Sequence, residues 1–223
     1  MTLRVGLLVF PNVQQLDLTG PYEVFASAEG VAVELIWKSL DPVFSSTKLL
    51  LQPTTTFAEC AGLDVVCIPG GGGINPLLED EAVLNFIREQ ASRARYVTSV
   101  CSGALLLGAA GLLRGRRATT HWYAHDFLEK FGAIPVDARI VKDGNVITAG
   151  GVTAGIDFGL SVVAELLGRE EAETVQLALE YAPAPPFNSG TPATASADVI
   201  ARTRLRNAKS RAAREAYFSR LEA

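Results

Sequence analysis

The chain has 223 residues, of which 48% are hydrophobic and 20% are charged, and its formal net charge is -4. A chain of this length and apolar content can bury a large core, which excludes intrinsic disorder and favours one domain, alone or with an appendage. No stretch approaches the roughly 20 apolar residues of a membrane helix, and the first ten residues lack the cationic start of a signal peptide. The sequence therefore predicts a cytoplasmic protein without a membrane partner.

Short apolar runs alternate with helical patterns through the first half of the chain. The runs are typical of strands buried on both faces, and they cover Leu3–Phe10, Val31–Trp37, Val65–Ile68 and Tyr96–Val100. Between them, Glu81 to Ala94 repeats apolar residues at helical spacing. This alternation predicts an α/β fold, with a mostly parallel central sheet and helices on both faces.

The second half of the chain predicts a hairpin followed by helices. Asp143-Gly144 stands between two β-rich segments, which is a strong hairpin signal. Helical patterns follow at Thr153–Leu167 and Glu170–Tyr181, and a segment rich in Pro, Ser and Gly then predicts an extended connection. We therefore expect an α/β domain over residues 1–194. Residues 195–223 are expected to form a C-terminal helix outside the main core, packed on the domain or on a dimer partner.

The C-terminal helix is basic, whereas the rest of the chain is acidic. From Ser196 onward there are seven basic and three acidic residues. A basic helix can bind nucleic acid, but on an acidic protein such a face is more often solvated or packed on a partner subunit. No two-helix DNA-reading unit follows Pro186. We therefore expect no nucleic-acid partner.

Cys101 is the strongest candidate for a functional residue. It stands where a buried strand passes into a helix, and Gly103 and Ala104 allow a tight turn there, as in a nucleophile elbow. A thiol at a helix N-terminus faces unpaired N–H groups, which should lower its pKa. Cys60 and Cys67 are expected to be structural, and three cysteines without a C-x-x-C pair predict neither disulfides nor a zinc site.

Two further loops contain candidate site residues. Gly70 to Gly73 follow another strand, and such a run lets backbone N–H groups approach a ligand, although no phosphate-loop Lys is present. Asp17 lies between two leucines after the first strand. It is either a partly buried carboxyl with a raised pKa that can pass protons, or the N-cap of a helix over Tyr22–Ser27.

The two histidines do not point clearly to a catalytic or metal-binding role. His121 and His125 are spaced as on one helical turn, but there is no H-E-x-x-H pattern and no evident third metal ligand. We expect a structural pair and no metal. No His adjoins Cys101 in the sequence, which disfavours a thiol peptidase, since that chemistry normally needs a base beside the nucleophile.

Several segments together resemble the ThiJ/PfpI superfamily and, within it, the isocyanide-hydrating group. They include QQLDLTGP, VVCIPGGGG, YVTSVCSGALLLGAAGLL, ATTHWYAHD and ITAGGVTAGIDFGL. The resemblance implies a flavodoxin-like fold, a homodimer and no cofactor. It also implies that Cys101 is the nucleophile and Asp17 the general acid and base, so that an isocyanide gains water to give an N-substituted formamide through a covalent thioimidate.

The resemblance also assigns supporting residues. Backbone N–H groups near Gly71, Gly72 and Ser102 would hold developing charge, while Gly150 and Val152 would lie close to the cysteine and limit the movement of the following helix. Ser102 and Val152 stand where Thr and Ile are expected.

Two alternative functions remain open on the same residues. One is a glyoxalase-like or deglycase-like thiol enzyme that acts on carbonyl substrates. The other is a non-catalytic ligand or oxidation sensor, related to the N-terminal domains of AraC-type regulators.

Overall fold

A seven-stranded sheet forms the centre of the computed structural model, which describes residues 2–221. The strands are β1 (Leu3–Leu8), β2 (Val31–Trp37), β3 (Val43–Phe44), β4 (Leu50–Leu51), β5 (Thr55–Thr56), β6 (Val65–Ile68), β7 (Tyr96–Val100), β8 (Arg117–Ala118), β9 (Ile134–Pro135), β10 (Ile140–Asp143) and β11 (Val146–Ala149). The helices are α1 (Gln15–Ser27), α2 (Ile74–Leu77), α3 (Glu81–Ala91), α4 (Gly103–Ala109), α5 (Phe127–Lys130), α6 (Ala154–Leu167), α7 (Arg169–Ala178) and α8 (Ala197–Leu221), with a 3₁₀ helix at Trp122–Ala124.

The central sheet has the order β10-β11-β7-β6-β1-β2-β5 and is parallel except for β10. β6 and β11 are buried along their whole length, which explains why Val65–Ile68 is an apolar run without alternation. The predicted α/β class with a mostly parallel sheet is therefore confirmed. The order reverses at β1, since β2 lies on one side of it and β6 on the other.

The helices divide between the two faces because the chain winds away from β1 in both directions. The connections from β1 to β2 and from β6 to β7 run in opposite directions along the sheet. Because crossovers between parallel strands are right-handed, they place α1 and α3 on opposite faces. On the first face, α1 packs against α6. The two helices approach closely at Gly159, where an added Cβ would lie only 2.9 Å from Val24 Cβ.

The predicted hairpin is present, but its turn is shifted by one residue. Asp143 pairs with Val146 as the last residue of β10, so the two-residue turn is Gly144-Asn145. Gly144 has a φ of +60°. A two-residue hairpin loop requires positive φ at its first central position, which a glycine supplies at little cost.

The C-terminal helix contributes to the core, contrary to the expectation that it lies outside it. Tyr217 and Phe218 on α8 are buried, and Phe218 stacks on Phe127 with ring centroids 5.3 Å apart. An ion pair of 2.6 Å between Arg211 and Asp126 joins the same elements. The expectation was wrong because two adjacent aromatic side chains bury a large apolar area.

Other boundaries differ slightly from the predictions. The helix after α6 covers Arg169–Ala178, and α8 starts at Ala197 rather than at residue 195. Residues 222 and 223 of the predicted helix lie outside the described residues, and the division of the chain at residue 194 stays a prediction. Among residues 2–221, no helix has both the length and the apolar character needed to cross a membrane.

Candidate active site

Four loops that the sequence singled out meet at one edge of the sheet. They follow β1, β6, β7 and β11, which are neighbours in the order β11-β7-β6-β1. Because parallel strands end at the same edge, the loops converge next to the point where the strand order reverses, where open α/β sheets usually place their ligands. Asp17, Gly71, Cys101 and Val152 come from these four loops or from the helix turns that directly follow them.

Cys101 occupies a strained turn between β7 and α4. Its φ is +56°, a left-handed conformation that is uncommon for a residue with a side chain. The turn is held by hydrogen bonds: the Cys101 N–H donates to the carbonyls of Ala149 at 3.0 Å and Gly150 at 2.9 Å. The Cys101 carbonyl accepts from Thr120 Oγ1 at 2.7 Å. The predicted elbow is therefore present, and strain of this kind concentrates at functional sites.

Asp17 lies directly beside the elbow, with no exposed surface. It is the third residue of α1, whose N-cap position belongs to Gln14, so the alternative that Asp17 is an N-cap is wrong. Its Oδ2 accepts the Gly70 N–H at 3.0 Å, and its carboxyl interacts with the Cys101 thiol. Oδ1 has no hydrogen-bond partner of good geometry among residues 2–221. This oxygen can therefore hold a proton.

Burial raises the pKa of both groups in this pair. The pKa of Asp17 rises to about 7 because the carboxyl is desolvated, although the contact with Cys101 and the Gly70 N–H act in the opposite direction. The pKa of Cys101 lies well above that of a free thiol, first because of burial and then because of the Asp17 charge. The expectation of a lowered thiol pKa is thus wrong for this arrangement, since burial outweighs the favourable backbone N–H groups of Ser102 and Val152.

The glycine loop fits tightly around the pair. A Cβ on Gly70 would lie 2.6 Å from Ser102 N and 2.8 Å from Asp17 Oδ2, so a larger residue would separate the acid from the elbow. The Gly71 N–H donates to Ser102 Oγ at 3.1 Å. That N–H is therefore already used to join the two loops, whereas the thiol interacts with the N–H groups of Ser102 and Val152.

Val152 adopts a conformation that its side chain disfavours. Its φ is +25°, which is a clear outlier for a β-branched residue. It is placed next to Cys101 by the Gly150 carbonyl, which accepts the Cys101 N–H. Gly150 and Val152 therefore lie against the cysteine, as the resemblance implied, while their expected effect on the movement of the helix that follows Cys101, α4, stays a prediction.

A cavity of about 230 Å³ opens above the thiol, and its sheet-edge wall includes Gly71, Gly72, Cys101, Ser102 and Val152. Cys101 is 7% exposed, and the cavity is the route by which a small molecule reaches it. Asp17 does not line the cavity but lies behind the thiol. Any proton that it exchanges with a ligand must therefore pass at the point where the carboxyl meets Cys101.

His121 lines the cavity, although no histidine adjoins Cys101 in the sequence. It precedes the 3₁₀ helix, and its Nδ1 accepts the Tyr123 N–H at 3.2 Å. Burial lowers the pKa of His121 to about 4, so the ring is neutral near pH 7 and one of its nitrogens is already occupied. Asp17 is therefore better placed than His121 to carry the proton.

The other histidine and the two other cysteines of the chain do not line this cavity. His125 is hydrogen-bonded to the Val136 carbonyl at 3.1 Å. Burial raises the pKa of Cys67 to about 12 and that of Cys60 to about 11, which keeps both thiols protonated. Within the described part of the chain, no three His, Cys, Asp or Glu side chains form a group that could hold a metal ion.

The second wall of the cavity comes from α8, and sequence analysis missed it. Asn207, Ser210 and Arg214 lie at positions i, i+3 and i+7 of that helix, which places them on one face. Asn75 joins this face to α2, which follows the glycine loop. Its amide donates to the Ser210 carbonyl at 3.2 Å, and its Oδ1 accepts from Arg214 Nε at 3.0 Å. The spacing was visible in the sequence, but so many positions of α8 are polar that it did not stand out.

The family model for the DJ-1/PfpI family matches residues 3–165, which include the sheet, the glycine loop and the elbow. The chain belongs to the DJ-1/PfpI family. Among curated proteins of this family, the isonitrile hydratase of Pseudomonas putida is 62% identical over 210 residues, covering 94% of this chain and 92% of that protein. The Parkinson disease protein 7 homolog of Danio rerio is 30% identical and covers 79% of this chain and 96% of its own.

Solved structures of the DJ-1/PfpI family give the same result for the fold. A ThiJ/PfpI family protein from Pseudomonas syringae superimposes with a TM-score of 0.92 and 46% identity, covering 96% of this chain and 89% of that chain. DJ-1beta of Drosophila melanogaster has a TM-score of 0.73 and 25% identity, covering 82% of this chain and all of its own. The predicted superfamily and its flavodoxin-like fold are confirmed.

Proposed function

We propose that this protein is an isocyanide hydratase, which adds water to an isocyanide and releases an N-substituted formamide. The observation that carries the proposal is the buried contact between the Cys101 thiol and the Asp17 carboxyl beneath a cavity for small molecules. The similarity to an isonitrile hydratase over nearly the whole of both chains supports the same reaction, since isonitrile and isocyanide name one functional group.

The first step is the formation of a carbon–sulfur bond. The ionised Asp17 carboxylate takes the proton of the Cys101 thiol, and the thiolate attacks the terminal isocyanide carbon. The same proton then moves from Asp17 to that carbon, which gives a thioimidate in which carbon is bonded to sulfur and hydrogen and doubly bonded to nitrogen. The raised pKa of Asp17, about 7, suits both halves of this transfer near neutral pH.

The second step is hydrolysis of the thioimidate. Asp17 takes a proton from water as the hydroxide adds to carbon, and it returns that proton to nitrogen. The tetrahedral intermediate then loses the thiolate, its hydroxyl proton passes to Asp17, and the formamide leaves. The N–H groups of Ser102 and Val152 stabilise sulfur while it carries charge. Over the two steps one carbon–sulfur bond forms and then breaks, water supplies the formyl oxygen through a new carbon–oxygen bond, and the proton left on Asp17 returns to the Cys101 thiolate.

The experiment that tests this proposal follows the loss of the infrared band of cyclohexyl isocyanide and identifies the formamide by mass. Wild type should turn over, Cys101→Ala should not, and Cys60→Ala should match wild type because the pKa of Cys60, about 11, keeps it protonated and because it lies outside the cavity. Retained turnover in folded Cys101→Ala would contradict the covalent mechanism.

Loss of activity in every variant, with the proteins folded, would favour the alternatives. Consumption of methylglyoxal by wild type would support the carbonyl-directed enzyme. A ligand-dependent rise in Tm without turnover would support the sensor. The homodimer implied by the resemblance stays part of the proposal, and the mass of the protein in solution tests it separately.

A further inference from the structure

Arg214 is the one guanidinium that lines the active-site cavity within the described residues. It is only 6% exposed, and burial lowers its pKa from the ordinary value for arginine. Its Nε donates to the neutral amide oxygen of Asn75, and no carboxylate among residues 2–221 forms an ion pair with it. A buried charge normally has a charged partner, because an uncompensated one destabilises the fold.

The other arginines of α8 that have ion pairs show that carboxylates are available to this helix. Arg211 binds Asp126 and Glu215, and Arg220 binds Glu79. Arg214 lies between these two in the sequence, yet among the described residues its terminal nitrogens Nη1 and Nη2 make no hydrogen bond. They therefore remain available as a planar pair of donors on the wall of the cavity, which is the geometry that binds a carboxylate through two parallel hydrogen bonds.

Asn75 fixes this guanidinium in place. Its side chain donates to the carbonyl and the hydroxyl of Ser210 at 3.2 and 3.3 Å, and it accepts from Arg214. Since the amide is held at both ends, the orientation of Arg214 is set before a ligand arrives. Asn207 and Ser210 add two polar groups to the same wall.

We propose that the preferred substrate is an isocyanide that also carries a carboxylate, which Arg214 binds while Cys101 attacks the isocyanide carbon. This inference rests on the proposed function, because it assigns the substrate class of the same site. Arg214 acts on a part of the substrate that does not react. It is therefore a specificity residue, and its loss should raise KM for the anionic substrate more than it lowers kcat.

The test compares isocyanoacetate with isocyanoacetamide, which has nearly the same shape but no charge. Wild type should favour isocyanoacetate in kcat/KM by about 10-fold to 100-fold, which is the usual strength of a charged hydrogen bond. Arg214→Gln should abolish this preference through KM, whereas Arg214→Lys should retain part of it. Arg206→Gln is the matched control, because it removes the same charge from an exposed position of α8.

Three results would overturn the inference. Wild type could show no preference between the two isocyanides, or Arg214→Gln could lower kcat for both equally, which would mean that Arg214 acts on the Cys101 thiolate instead. The preference could also survive in Arg214→Gln. Circular dichroism and Tm show whether each variant is folded, and Arg214→Lys keeps the test valid if Arg214→Gln does not fold.

The unreactive product N-formylglycine separates this inference from the proposed function. If neither isocyanide is turned over but N-formylglycine binds more tightly than N-formylglycinamide, and Arg214→Gln removes the difference, the hydratase proposal fails while the carboxylate site stands. If both isocyanides are turned over equally and N-formylglycine shows no advantage, the reaction stands while the carboxylate site is rejected.

Discussion

The two walls of the cavity are built in different ways. The sheet-edge wall comes from loops whose backbones are fixed by parallel strands. The packing there is tight, because a Cβ on Gly70 would lie less than 3 Å from Ser102 in this wall and from Asp17 behind it. The α8 wall comes from a helix far along the chain, which is attached through Tyr217, Phe218 and a few ion pairs. The reacting groups therefore depend on the sheet, while the groups that select a substrate depend on how the helix is docked.

Because of this difference, separate substitutions should lower the rate of the reaction and the preference for a substrate. Changes at the sheet edge should act on kcat, since they alter the proton transfer or the attack on carbon. Changes in α8 should act on KM or on stability, because that helix contributes no reacting atom.

Among changes that leave Cys101 in place, the largest loss of kcat is expected for Asp17→Asn. An amide has a similar shape and can accept the Gly70 N–H, but it can neither take the thiol proton nor return it to carbon. We expect kcat to fall by about 10²-fold to 10⁴-fold, the usual contribution of a positioned acid or base. Single-turnover kinetics with cyclohexyl isocyanide measure this loss, and a near-normal rate in the folded variant would remove Asp17 from the mechanism.

The pH dependence of kcat/KM is a second test of Asp17 as the group that takes the thiol proton. Below pH 7 the buried Asp17 carboxyl is protonated, so nothing takes the proton of the Cys101 thiol, whereas above pH 7 the carboxylate is available. kcat/KM should therefore rise with pH through about 7 and fall about tenfold per pH unit below it, because a single proton controls the step. A pH profile that stays flat from pH 5 to 8 in wild type would contradict this assignment.

The sequence was sufficient to locate the sheet-edge wall. Strands buried on both faces are continuous apolar runs, and small residues at their ends, such as Gly103 after Cys101, indicate turns at one edge. Those signals are local, so they can be read without knowing how distant segments pack. That is why Asp17, Gly71 and Cys101 could be singled out from their own segments, whereas Val152 was assigned only by the resemblance to the superfamily.

The pKa of Cys101 and the positions of Arg214 and His121 depend on contacts between segments that are far apart in the sequence, so the sequence did not indicate them. Burial and the Asp17 charge raise the pKa of Cys101, whereas the helix N-terminus that is visible in the sequence only favours a lower pKa. Arg214 belongs to a helix in which most positions are polar or charged, so its burial, its place on the cavity wall and its contact with Asn75 are visible only in the folded protein. His121 reaches the cavity through the turn at the 3₁₀ helix, which interrupts the helical spacing expected for the two histidines.

Phe218→Ala should weaken the docking of α8. The ring stacks on Phe127 and meets Phe131 edge-on with centroids 4.9 Å apart, so its removal leaves a cavity in the core. We expect the free energy of unfolding to fall by about 3–5 kcal/mol, as for other buried phenylalanines. Urea denaturation measures this, with the exposed Leu205→Ala on the same helix as the control. Equal stability of the two variants would show that α8 is not held by its aromatic residues.

Gly70→Ala should disturb the sheet-edge wall without changing a reacting group. The new Cβ would press between Ser102 N and Asp17 Oδ2, and such overpacking costs about 1–3 kcal/mol. Because the carboxyl and the thiol would be pushed apart, kcat should fall more than KM changes. Gly62→Ala is the control, since a Cβ there meets nothing within 4 Å. A Gly70→Ala variant with unchanged kcat would show that the spacing of the pair is not critical.

Thr120→Val tests the strain at the elbow and should have the smallest effect. The substitution keeps the shape of the side chain but removes the hydroxyl that donates to the Cys101 carbonyl at 2.7 Å. The buried carbonyl would keep only a long bond of 3.5 Å from the Ala104 N–H, so the loss should cost about 1–3 kcal/mol of stability. Thr174→Val on α7 removes a bond of similar length, 2.8 Å to the Glu170 carbonyl, at an exposed position. If the bond at Thr120 holds Cys101 in its left-handed conformation, Thr120→Val should also lower kcat several-fold while Thr174→Val leaves it unchanged. Equal kcat values in the two variants would mean that the two bonds of the Cys101 N–H suffice to hold the turn.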